Sequence, residues 1–216
     1  MTVLAIDTST HRGSVAVLRD GCLLLDEVFT ADRSHSSTLF PILERARVLA
    51  PELDLIAIGL GPGSYAGVRI AIATALGLGV ATGAELVGLA SVAALDTNVP
   101  NYLAIGDARR ESFYFTRVEA GLCAEGPLLL DMPSLLARLL QFPDWEICTP
   151  AALDALPHAK VTLPRASIIG RLAIEGRGIL QRGDLEPLYL RDPHITTPKT
   201  KPAAAGRRRP EPGALD

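Results

Sequence analysis

The stretch LIAIGLGPGSYAGVRIAIATALGLG, residues 55–79, decides how this chain is read. A compact apolar run, 55–58, passes through a glycine-rich turn into a long segment that carries no charge after Arg69. Strand, turn and helix start in that order make the usual place for free backbone N–H groups to hold an anion. A Walker-type loop would end in Lys followed by Ser or Thr, and Val68 and Arg69 stand there instead. A dinucleotide loop would need its three glycines at another spacing. The bare residues therefore read as a tight turn feeding a buried helix. Ser64 resembles a nucleophile elbow only loosely, because Ala66 stands where that motif needs glycine, and a helix-capping role suits it better.

The helix expected over 66–82 has a pattern of its own. Gly67, Ala71, Ala75 and Gly79 recur every four residues and form a stripe that lets another backbone come close. Val68, Ile70, Ile72, Leu76, Leu78 and Val80 occupy the other sides. A helix this apolar all round must be covered on more than one side. Its own sheet can cover one side; a second lobe or a partner chain must cover the other.

Outward from this segment the pattern extends in both directions. Residues 3–6, 14–17 and 23–25 read as short strands, with Asp20-Gly21 as a hairpin turn between the last two. Leu39, Leu43, Ala46 and Leu49 give a helical spacing over 35–49, and strands follow at 54–59 and 85–89. Three strands, helix, strand, helix, strand and a short helix at 91–95 is the order of a ribonuclease-H-like lobe. After a polar break at 97–101 the pattern partly restarts with strands at 102–106 and 112–118, and Asp107 falls where Asp7 fell. Further strands are expected near 128–130 and 145–148, with helices at 133–141 and 166–180. The second half thus reads as a degenerate copy of the first. The lobes are placed at 1–98 and 99–196. The basic, proline-rich stretch 197–216 keeps no apolar period and is expected to be a disordered tail.

Composition narrows the class. The chain is 48% apolar and 21% charged, that of an ordinary soluble globular protein, and its net charge of −3 offers no general attraction to nucleic acid or anionic membrane. The start, Met1 to Ile6, has no basic region before Asp7 and reads as a first strand rather than a leader. The longest uncharged run, 70–84, is too short to span a bilayer. Cys22, Cys123 and Cys148 are far apart and read as buried thiols in a reducing compartment, with the cytoplasm as the default. His11, His35, His158 and His194 make no metal-binding spacing: a pair on one helical face starting at His35 would need histidine where Leu39 stands. Asp7, followed by three hydroxyl residues, could face a metal and phosphates in an actin-like ATPase or cap its own turn. That ATPase would also need a Gly-Gly adenosine loop, and no Gly-Gly occurs in this chain.

LAIDTST (4–10), HSSTLFPIL (35–43), GPGSYAGVRIAIATALGLG (61–79), DARRESFYF (107–115) and PLYLRDPHIT (187–196) together resemble the TsaB family, formerly YeaZ, of bacterial tRNA threonylcarbamoyladenosine biosynthesis proteins. The likeness runs in order from the first strand to about Thr196 and is silent on the tail. It implies the actin-like ATPase, sugar kinase and Hsp70 superfamily, with two ribonuclease-H-like lobes. It also implies a non-catalytic relative of TsaD, the subunit that binds ATP and metal and transfers the threonylcarbamoyl group. No catalytic, cofactor or metal residue is then expected on this chain. TsaB-like subunits pair with TsaD through the first two helices, which points to His35, Leu39, Leu43, Arg69, Ile72 and Leu76 as partner-facing. TsaE, a small ATPase, joins the pair, and tRNA is met through the complex. Pairing of two copies without the partner stays open. The alternatives are an independent small-molecule kinase or ATPase using Asp7 and Asp107, and, more weakly, a peptidase.

Overall fold

The computed structural model describes residues 1–30 and 35–191. Three antiparallel strands open the chain: β1 (Thr2–Asp7), β2 (Arg12–Arg19) and β3 (Cys22–Thr30). Asp20 and Gly21, both at positive φ, make the turn into β3. Helix α1 (His35–Leu49) leads to β4 (Leu55–Gly59), parallel to β1; helix α2 (Tyr65–Thr82) leads to β5 (Glu85–Leu89), parallel to β4. A 3-10 turn at Ser91–Ala94 ends this half. The second half repeats the plan: a meander of β6 (Asn101–Asp107), β7 (Ser112–Glu119) and β8 (Leu122–Asp131), then α3 (Met132–Leu139), then β9 (Glu146–Thr149) parallel to β6 and β10 (Lys160–Val161) parallel to β9. The order β10-β9-β6-β7-β8 matches β5-β4-β1-β2-β3 strand for strand. What the copy lacks is a counterpart of α2: residues 150–159 form turns, with Pro150 and Pro157 among them.

Alternation along the strands builds two layers on the first sheet. Leu4, Ile6, Val15, Val17, Ile56 and Ile58 face α1 and α2, while Val3, Ala5, Ala16, Leu18, Leu55 and Ala57 face the other way. A sheet apolar on both faces must be covered on both. The second cover is α4 (Ala166–Ile174), which brings Ala166, Ile169, Leu172 and Ala173 onto that face. Gly170 is needed there, because a Cβ at that position would stand 2.4 Å from Leu18 Cδ1. The second sheet lays Tyr102, Ala104 and Tyr114 against the 3-10 turn, and Leu103, Ile105 and Phe115 against Leu135 of α3.

Several features depart from the sequence pattern. The helix expected over 166–180 ends at Ile174; Gly176 and Gly178 take φ of 67° and 66°, and the chain continues as a strand, β11 (Ile179–Arg182). β11 pairs antiparallel with β5, so α4 and β11 return to the first sheet although they follow the second lobe's strands in the chain. The short β10 was also not foreseen. By length and composition alone α2 could cross a membrane, which the count of uncharged residues understates; its buried stripe ties it to the sheet instead. The tail 197–216 lies outside the described residues.

Candidate functional site

The glycine-rich turn is held down by the hairpin beside it. Ser64 caps α2, its Oγ accepting from Gly67 N–H at 3.2 Å, as its capping role predicts. Ser64 N–H donates to Ser9 carbonyl O (2.6 Å), and Thr8 Oγ1 donates to Gly67 carbonyl O (2.7 Å). Gly61, at φ 94°, supplies the turn a side chain would resist. Much of the donor set that could cradle an anion is therefore committed within the chain. Ser64→Ala is expected to lower stability by about 1 kcal/mol, read as a shifted urea midpoint with unchanged slope.

Asp7 ends β1 almost fully buried. Its Oδ1 accepts from Ser9 N–H (2.9 Å) and Ser9 Oγ (2.7 Å), so the carboxylate caps its own turn. The other oxygen lies against Gly59, where a Cβ would stand 1.8 Å away. Asp107 makes the same turn in the second lobe, accepting from Arg109 N–H at 2.7 Å, but at the surface. The repeated turn is a residue-level trace of the duplication. His11 and His158 are exposed, His194 lies outside the described residues, and among those described no cluster of three His, Cys, Asp or Glu could hold a metal ion. Of the cysteines, Cys22 is exposed rather than buried; burial pushes the Cys123 and Cys148 thiols up to about 11.

The second candidate is a groove between α1 and α2 of about 600 Å³, almost wholly apolar. Phe40, 53% exposed, and Ile70 stand on its two sides; Leu43 lies at its floor, and Glu44 and Arg47 mark its rim. Val48 and Val80 continue the apolar surface nearby, strongly exposed. Of the residues expected to face a partner, Leu39 (0% exposed) and Ile72 (7%) point into the first lobe's own core, and Leu43 is reached only from the groove. Leu76 is 41% exposed. Arg69 is held beside two residues that line the cleft between the lobes, its guanidinium over the Tyr65 ring and its Nε donating to Tyr189 Oη (3.2 Å). The side chain of His35 lies outside the description. Phe40, Thr74 and Leu78 line the groove without having been singled out for it. The small-residue stripe faces inward: Gly67, Ala71 and Ala75 are buried on the chain's own sheet, so the groove is the face left open.

Two meander-helix-strand lobes facing each other across a cleft define the class: an α/β protein of the actin-like ATPase and sugar kinase superfamily. A family model described as TsaD, tRNA N6-adenosine threonylcarbamoyltransferase, matches residues 29–131. The chain is 31% identical to the uncharacterized protein Rv3421c of Mycobacterium tuberculosis, covering 89% of this chain and 92% of that one. It is 32% identical to the tRNA threonylcarbamoyladenosine biosynthesis protein TsaB of Haemophilus influenzae over 55% of this chain and 54% of that one. YeaZ from Pseudomonas aeruginosa superposes with a TM-score of 0.67 at 27% identity, covering 88% of this chain and all of that structure. The chain belongs to the TsaB (YeaZ) family.

Proposed function

We propose that this chain is a non-catalytic subunit in the biosynthesis of threonylcarbamoyladenosine on tRNA, acting by pairing with a TsaD-like transferase. The observation that carries the reading is the open apolar groove between α1 and α2, within the segment that matches the TsaD family. A TsaD-like chain then has a related helix pair. Two related pairs can pack around a pseudo-twofold axis as a four-helix bundle, each filling the other's groove. The role of such pairing is a coupling free energy: burying the groove favours the partner's working conformation. ATP and metal belong on the partner, a TsaE-like ATPase joins the assembly, and tRNA is met by the complex, all in the cytoplasm. The modified base is the adenosine beside the anticodon in tRNAs that read codons beginning with A.

The test is reconstitution with the cognate TsaD-like and TsaE-like chains. Threonylcarbamoyl transfer to tRNA is expected only when this chain is present, while the chain alone turns over no ATP and retains no stoichiometric metal. Steady ATP hydrolysis by the purified chain, lost in Asp7→Ala, would replace this reading with that of a kinase or ATPase of the same fold.

A further inference from the structure

The cleft between the lobes, about 580 Å³, takes no part in the docking proposed above. Tyr65 and Val68 at the start of α2 line one side, Tyr114 and Leu153 the other, and residues 187–190 close an edge. That edge is firmly held. Leu188 N–H donates to Leu60 carbonyl O (2.9 Å), Tyr189 packs on Tyr65 with ring centroids 5.7 Å apart, and Arg191 Nη2 donates to Ser112 Oγ at the start of β7 (2.7 Å). The walls are mainly apolar and aromatic.

Two polar features open onto this space. Tyr114 is only 3% exposed, lines the cleft, and its hydroxyl bonds to no described residue. Burial raises its pKa, so the hydroxyl remains a donor at working pH. At the start of α2, Ser64 takes the Gly67 N–H and leaves that of Tyr65, which lines the cleft, without an acceptor among the described residues. The charged side chains in the lining, Asp107 and Arg109, stand 3.7 Å apart and offset each other. Arg69 and Arg191 stand outside the lining, engaged with Tyr189 and Ser112, so within the lining what remains is the helix terminus, roughly half a positive charge. That field suits one negative charge and not a polyphosphate.

We infer that the cleft binds a monocarboxylate with an apolar or aromatic body. The carboxylate is held at the start of α2 by the Tyr65 N–H, the body rests on Val68 and Leu188, and an acceptor atom faces the Tyr114 hydroxyl.

N-acetylphenylalanine has these three parts and is the probe, titrated into the full chain by calorimetry or amide chemical shifts. Saturable binding with a Kd of about 1 mM or tighter is expected, with N-acetylphenylalaninamide about tenfold weaker or more. Tyr114→Phe removes only a hydroxyl that has no partner among the described residues, so its melting temperature should hold or rise while its affinity falls about fivefold. The inference is overturned if the probe fails to saturate at about 10 mM or if the amide binds equally well. It is equally overturned if adenosine monophosphate binds more tightly than the probe. In the variant, unchanged affinity or a lowered melting temperature would also overturn it.

Discussion

Phe40→Glu and Ile70→Glu should each lower affinity for the TsaD-like subunit by two orders of magnitude or more while leaving the chain folded. Phe40 is exposed and Ile70 half-buried on opposite sides of the groove, so a carboxylate at either place stays in water in the free chain. In the paired state it would be desolvated inside an almost wholly apolar groove, at a cost of several kcal/mol. About 1.4 kcal/mol is tenfold in affinity, so the loss is at least about a hundredfold. Leu39→Glu and Ile72→Glu are the contrast. Both side chains lie in the first lobe's core, and a charge there should unfold the chain rather than spare it. Melting temperature, partner affinity by calorimetry and threonylcarbamoyl transfer separate the two outcomes. If the Phe40 and Ile70 variants stay folded and still bind normally, the groove is not the partner surface.

Gly67→Ala is expected to cost about 3 kcal/mol of stability. A Cβ at Gly67 would stand 1.9 Å from the Thr8 carbonyl oxygen, a backbone atom with no rotamer to escape through. Helix α2 would have to move off the β1–β2 hairpin and break the bonds from Thr8 Oγ1 to Gly67 and from Ser64 N–H to Ser9. Gly77 on the same helix is the control. Nothing lies within 4 Å of a Cβ built there, so Gly77→Ala should gain about 0.5–1 kcal/mol from helix propensity. Gly77 also borders the groove, so this variant asks separately whether a methyl group hinders the partner. Urea titrations of the three chains decide the point. A Gly67→Ala chain within about 0.5 kcal/mol of the parent would mean that the hairpin yields easily and that α2 is not fixed by it.

Local chemistry was legible wherever a few neighbouring residues decide it. Asp20-Gly21 made the turn it announced, Ser64 capped the helix it precedes, and Asp7 bonded back to Ser9. The duplicated plan was legible too, because a strand that must bury one face alternates and a helix repeats every three to four residues. The end of α4 was not. Apolar residues continue past Ile174 into Ile179 and Leu180, and only the left-handed backbone at Gly176 and Gly178 separates helix from strand.

Residue order by itself determined that α2 is an apolar helix needing cover on more than one side. It could not say which side its sheet would take, because a helix apolar all round has no polar face to mark the outside. Tertiary structure decided that. The closest approach goes to the residues with the least side chain, so Gly67, Ala71 and Ala75 went to the sheet, with Val68 and Ile72 beside them. Phe40 and Ile70 were left to border the open groove. Likewise, nothing in the order of residues says that a strand at 179–182 pairs with β5, ninety positions earlier. Such a pairing is fixed by the free edge of a finished sheet, which exists only once the chain has folded.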